Sequence, residues 1–237
     1  MSGHSKWKTI KHKKAAADAQ RSKLFTKLIK EITVSARSGG GDPAHNANLR
    51  SLLEKAKKLN MPQDNAVRAV KKGTGELPGV QYESHTYEGY GPHGIAVIAE
   101  VLTDNKNRAV ADLRALFTRK GGSLAEAGAV GWMFHRRGVV TAKGSATEEH
   151  LLEALLDVEV ADISCDEDVW TIVCDPHVVD SVKKIVEAQG LVIEDSEVAL
   201  IPDNTVPLSE AHQEAAYEFL EAVEELDDVQ NVYANVG

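Results

Sequence analysis

From about residue 15 the apolar positions recur with a helical period. Phe25, Leu28, Ile29, Ile32 and Ala36 stand at i, i+3, i+4, i+7 and i+11, the stripe of an amphipathic helix. Lys23, Lys27 and Lys30 fall on the opposite face. The glycines and proline of SGGGDP (38–43) end this helix. Leu49, Leu52, Leu53, Ala56 and Leu59 predict a second helix over about 45–59. Pro62 opens a third, with Ala66, Val67 and Val70 as its apolar edge and Arg68, Lys71 and Lys72 turned outward. Residues 1–12 form a polar arm ahead of these helices.

Beyond KKGTGELPG (71–79) the apolar period falls from 3.6 to 2. SHTYEGYG (84–91) and GIAVIAEVLT (94–103) pair as a hairpin across a Gly-Pro turn. A helix follows over about 107–120, with Val110, Leu113, Leu116 and Phe117 inward, and AVGWMFHR (129–136) reads as the next strand. Residues 138–201 then run strand GVVTA, helix 147–157, strand VADISC, strand VWTIVC, helix 177–189, strand EVALI. That βαββαβ order is ferredoxin-like. The tail adds a helix at 208–226 and the strand VQNVYAN (229–235). Such a lone pair most economically completes the sheet left open by 84–136, so the 138–201 unit reads as an insertion. The expected fold is α+β and multidomain. It has a basic three-helix domain with its arm (1–80), a discontinuous middle α+β domain (81–137 plus 203–237), and an inserted acidic ferredoxin-like domain (138–202).

Charge changes this picture from a fold into a candidate function. The chain of 237 residues carries a net −9. Residues 1–80 hold 17 Lys and Arg against 6 Asp and Glu, whereas 81–237 hold 10 against 30. The insert alone carries −12 and the tail −9. So polarised a distribution points to a polyphosphate partner for the N-terminal third. The arm GHSKWKTIKHKK combines Lys6, Lys8, Lys11, Lys13 and Lys14 with His4, His12 and Trp7. Cations gain from counterion release and an indole stacks on an unpaired base; equally, Trp7 could anchor in the helical core. No apolar run approaches the ~20 residues of a membrane span, and no secretory h-region follows the basic start. A transit peptide is disfavoured, because the basic stretch runs unbroken into a periodic helix. Cys165 and Cys174 make no disulfide framework or metal cluster. A cytoplasmic protein without cofactor or metal is expected.

Three sequence features bear on chemistry. GYGPHG (89–94) matches G-x-G-x-x-G, but its glycines lead into a strand and not a helix, so it reads as a hairpin turn. The nine histidines show no metal-ligand spacing, and there is no P-loop or G-x-S-x-G elbow; a non-enzymatic protein is expected. TDNKNR (103–108) sits where strand gives way to helix. Asp104, Asn105 and Asn107 suit capping; Lys106 and Arg108 beside free backbone N–H groups would also suit a phosphate.

GHSKW, IKHKKAAADAQRSKLFTKLIKEI, GGGDPAHNANLR, NMPQDNAVRAVKKG, YEGYGPHG, TDNKNR and DDVQNVYAN, in this order along essentially the whole chain, resemble the YebC family. The resemblance implies three domains, with the third inserted in the second. It also implies a nucleic-acid-binding regulator of gene expression: a ribosome-associated factor assisting difficult peptide-bond formation, notably at proline runs, or a DNA-binding transcriptional regulator. Carried over residue by residue, the basic motif gives His4, Ser5, Lys6, Trp7, Lys11, Lys13, Lys14, Arg21, Lys23 and Lys27 as contacts; Lys8 of the arm and Lys30 of the cationic helix face join them as candidates. The second motif gives Asp104, Asn105, Asn107 and Arg108. One departure is visible: a Gly-Ala-Glu-Asp-like run of the family is replaced by Glu159-Val160-Ala161-Asp162. Ribosomal RNA or tRNA is the favoured partner and DNA the alternative, the latter through a helix-turn-helix over 45–73 with Gln63, Asn65 and Arg68 near the start of its second helix. Asp64 beside them and the lack of an added dimerisation segment weigh against DNA, and a monomer is favoured. The insert lacks the aromatic pattern of an RNA-recognition motif.

Overall fold

The computed structural model describes residues 18–237, with side-chain burial from residue 21 onward. The first elements are helices α1 (Asp18–Gly39), α2 (Ala47–Lys58) and α3 (Gln63–Gly73). Strands β1 (Glu83–Tyr90) and β2 (Ala96–Thr103), helix α4 (Lys106–Arg119) and strand β3 (Ser123–Leu124) follow. Next come β4 (Phe134–Lys143), α5 (Glu148–Ala154), β5 (Val160–Asp166), β6 (Val169–Cys174), α6 (Val179–Ala188) and β7 (Val192–Pro202). Helix α7 (Glu210–Glu224) and strand β8 (Val229–Ala234) close the chain. Two compact units result. One takes the described residues to 129 together with 208–234; the other takes 130–207 with 235–237.

In the first unit, Leu28, Ile32 and Ala36 of α1 meet Leu49, Ala56, Ala66 and Ala69 in one buried cluster. Asn46 caps α2 by accepting from the Leu49 N–H at 3.0 Å. Its amide nitrogen donates to the carbonyls of Ser35 and Gly40, both at 2.9 Å, which ties the end of α1 to the start of α2. Helices α1 and α3 touch at Gly73, where a Cβ would come within 2.7 Å of the Ala36 Cβ and collide with the Thr33 carbonyl. Val67, expected on the apolar edge of α3, is instead 44% exposed. Ala66 and Ala69 line the contact, because small side chains let the helices approach closely.

Strands β1 and β2 pair antiparallel from Glu83↔Thr103 to Tyr90↔Ala96. Short β3 flanks β1 and tail strand β8 flanks β2, giving the order β3-β1-β2-β8. Helices α4 and α7 bring Phe117 and Phe219 together edge to face, their centroids 4.9 Å apart. Each fully buried phenylalanine contributes roughly 1.5–3 kcal/mol of transfer free energy. These rings explain the glycines of the hairpin: a Cβ on Gly89 would lie 2.8 Å from the Phe117 ring, and one on Gly91 3.1 Å from Phe219.

In the second unit the order β5-β6-β4-β7 is the ferredoxin-like arrangement, antiparallel throughout. Val140, Ala142, Trp170, Ile172 and Cys174 face Leu151, Leu155, Val182 and Val186 of α5 and α6. The boundary expected at 138 is displaced. Phe134–Lys143 is one continuous strand of this sheet, preceded by a 3-10 turn at Gly131–Met133, so the stretch 129–136 adds no strand to the first sheet. The far boundary moves too: the Val206 N–H donates to the Asn235 carbonyl at 2.7 Å, and Gly237 donates back to Val206 at 2.9 Å.

Candidate nucleic-acid interface

Expected contacts His4, Ser5, Lys6, Trp7, Lys8, Lys11, Lys13 and Lys14 lie outside the described residues. Of the remainder, Lys23, Lys27 and Lys30 share one face of α1, and that face meets protein. The Lys27 ammonium donates to the Glu224 carbonyl at 2.7 Å, at the electronegative C-terminus of α7. Lys23 lies 3.9 Å from Glu225, with both side chains largely exposed. Lys30 is buried at 7% exposure. Its ammonium donates to the Asp228 carboxylate at 2.7 Å and to the Asp227 carbonyl at 2.8 Å, with the Tyr82 ring 5.7 Å away. The expected outward role of Lys30 is therefore corrected: its charge is enclosed between α1 and the strand–helix body. Arg21 is exposed near the start of the described chain.

The TDNKNR stretch converges on the same carboxylate. Asn105 caps α4, its side-chain oxygen accepting from the Arg108 N–H at 3.1 Å. The buried Thr103 hydroxyl donates to Asp228 at 2.9 Å. Arg108 donates to Asp104 at 2.8 Å and to Asp228 at 2.9 Å. Burial alone would push the Asp228 carboxyl up; hydrogen bonds from Lys30, Arg108 and Thr103 outweigh it and hold the group below its ordinary value. The same carboxylates hold the Arg108 guanidinium above its ordinary value, hydrogen bonding to Asp228 being the larger cause. Nothing in the sequence links positions 30, 103, 108 and 228 except their place in the quoted motifs.

Beside this network lies a cleft of about 610 Å³. Lys30 and Arg108 line it, but so do Asp104, Asp112, Glu225, Asp227 and Asp228. Carboxylates outnumber cations, so a phosphate entering here meets net negative charge. Lys106 and Asn107 stand exposed at the N-terminus of α4, and Arg108 keeps about half its side chain in solvent. Among the described residues, further exposed cations stand elsewhere, among them Arg50, Lys55, Lys57 and Lys58 of α2 and Arg68 and Lys71 of α3. Most of these escaped the motif reading, although the segment charge counted them. No helix of the described residues is long and apolar enough to cross a membrane.

Comparison with known proteins places this geometry. Residues 5–76 match the model of the TACO1/YebC protein N-terminal domain, and residues 82–236 match that of the TACO1/YebC second and third domain. A "probable transcriptional regulatory protein" of Chlorobium phaeovibrioides is 52% identical over 238 residues, covering 100% of this chain and 95% of that protein. One of Desulfatibacillum aliphaticivorans is 51% identical over 236 residues, covering 99% and 96%. The crystal structure of conserved hypothetical protein Aq1575 from Aquifex aeolicus superimposes with a TM-score of 0.83 at 43% identity, covering 94% of this chain and 93% of that one. With both family models matched in order and relatives similar end to end, the chain belongs to the TACO1/YebC family.

Proposed function

We propose that the protein is a nucleic-acid-binding regulator of gene expression that acts in the cytoplasm on RNA of the ribosome. There it assists translation, for example at proline-rich stalls, and catalyses no reaction itself. The observation that carries this reading is the separation of charge, with 17 Lys and Arg against 6 Asp and Glu in residues 1–80 of an otherwise acidic chain. A basic end can enter an RNA-lined site while the acidic remainder is repelled from random adhesion. Contacts are assigned to His4, Ser5, Lys6, Trp7, Lys8, Lys11, Lys13, Lys14 and Arg21, extended by the exposed cations of α2 and α3. Loop 103–108 acts through α1: Arg108 and Thr103 hold the Asp228 carboxylate that receives Lys30.

The names of the relatives favour the second reading, a DNA-binding transcriptional regulator. Gln63 and Arg68 are exposed on α3, as a recognition helix would require, but Asp64 in its first turn would face phosphate. Crosslinking in cells followed by sequencing separates the two. Ribosomal RNA reads, lost on Trp7→Ala together with alanine at Lys6, Lys8, Lys11, Lys13 and Lys14, are expected. Reads concentrated at promoters and absent from ribosomal RNA would replace this reading with the transcriptional one.

A further inference from the structure

The stretch LLEALL (151–156) carries two leucine pairs, and the structure divides each of them. Leu151 and Leu155, one helical turn apart, enter the core of the second unit, where they are 0% and 2% exposed. Leu152 and Leu156, also one turn apart, are left 49% and 77% exposed. Helix α5 therefore carries a wider apolar arc than its own sheet buries. The Leu155 N–H donates to the Leu151 carbonyl at 3.0 Å and the Leu156 N–H to that of Glu153 at 3.4 Å. The backbone thus keeps turning through Leu156 and holds both exposed leucines on one shoulder of the element. The ground around them is anionic. From Gly144 to Val182 the chain has eleven Asp and Glu and no Lys or Arg. Asp168 pairs with Lys143 at 3.2 Å and Asp180 with Lys183 at 3.6 Å. Glu148, Glu149, Glu153, Asp157 and Glu159, which bracket the two leucines, are exposed and meet no cation among the described residues. Glu149 stands three residues before Leu152 and Glu153 three before Leu156, so an apolar row and an acidic row run side by side.

Carboxylates at this density repel RNA and anionic lipid alike. The complementary ligand brings a row of cations beside an apolar row. We propose that this shoulder of α5 docks a Lys/Arg-rich amphipathic helix of a protein partner. The apolar stripe of that helix seats on Leu152 and Leu156, and cations one turn apart on its flank reach Glu149 and Glu153. Two leucines make a smaller contact than a stable interface needs, so the complex is a transient one. This surface is separate from the nucleic-acid contacts proposed above and does not depend on them.

The test uses the full chain and three short peptides: leucine and lysine in helical period, the same composition scrambled, and serine in place of every leucine. Amide shifts are followed by NMR. The helical peptide is expected to move Leu152, Glu153 and Leu156. Leu152→Gln combined with Leu156→Gln should weaken it roughly tenfold, the scale of losing two partly buried leucine contacts. Glu149→Gln combined with Glu153→Gln should weaken it about threefold, since each surface pair contributes modestly, and added salt should narrow that difference. All four side chains are exposed, and circular dichroism confirms that both variants fold. Equal binding of the scrambled or the serine peptide, or unchanged affinity in either variant, would overturn the proposal. Two other occupants would overturn it as well. Shifts of these amides that grow with protein concentration alone mark a second copy of the chain, and shifts on deletion of residues 1–14 mark its own basic arm.

Discussion

A buried ammonium must find an acceptor for each of its protons, and Lys30 finds them on Asp228 and on the carbonyls of Asp227 and Leu102. Removing one partner of such a pair leaves the other charge uncompensated away from water. Asp228→Asn should therefore lower the unfolding free energy by about 3 kcal/mol, read from urea denaturation. Lys30→Met, which keeps the aliphatic stem and leaves Asp228 with Arg108 and Thr103, should cost less; the reverse order would show that Asp228 does not organise the site. The sign of the pH dependence follows from the lowered Asp228 pKa. Its contribution is complete above the ordinary carboxylate value of about 3.9 and is lost as pH falls through the lower folded-state value. Thermal melts from pH 6 to pH 2 should accordingly fall more steeply for the native sequence than for Asp228→Asn. Sequence alone offered lysines at helical spacing and an aspartate in the tail, and a solvent-facing stripe was the simpler reading. Only the return of the tail encloses one lysine of that stripe.

Elements with a strong period were legible: α1, α2, α4, α6 and α7 appear close to where their apolar positions place them, and the hairpin follows from its turn. The start of β4 was not. Arg136-Arg137-Gly138 reads as the junction between a strand at 129–136 and one starting at Gly138, yet it lies inside a ten-residue strand. Gly138 is needed there because a Cβ would collide with Val179 and come within 2.8 Å of the Cys174 sulfur, so a residue that resembles a break is a packing device. The same logic gives a prediction at α3. Alanine is favoured over glycine by about 1 kcal/mol inside a helix. Gly73→Ala should nonetheless destabilise, by about 1–3 kcal/mol, because it wedges α1 from α3. A rise in the urea midpoint would show that the contact yields. At the end of α7, Lys27→Ala should cost roughly 0.5–1 kcal/mol for its bond to the helix terminus. Lys23→Ala should cost little, since its partner is exposed and distant.

Across the whole molecule, charge was the most legible property and its placement the least. A count by segment separates basic from acidic ends, but it cannot tell the enclosed Lys30 from the open Lys55, Lys57 and Lys58. If the open surface of α2 contacts RNA, alanine at those three positions should flatten the salt dependence of single-strand binding by about 2 in slope, at about 0.7 per phosphate contact. Fluorescence anisotropy across a salt series measures this, and an unchanged slope would restrict binding to the N-terminal arm and Arg21. The tail's return has a further consequence, for the order of events during synthesis. Asp228 lies 198 residues after Lys30, and β2 acquires its second neighbour only when residues 229–234 exist. Every residue of the second unit up to 207 is made before that. The guest therefore has its strands in hand while its host still waits, with the apolar β2 (AVIAEVLT) open along one edge and Lys30 without its acid. Nascent chains arrested at residue 207 should show a protease-resistant second unit and a sensitive first one. For that interval the emerging protein carries its own aggregation hazard, and the arrival of β8 is what removes it.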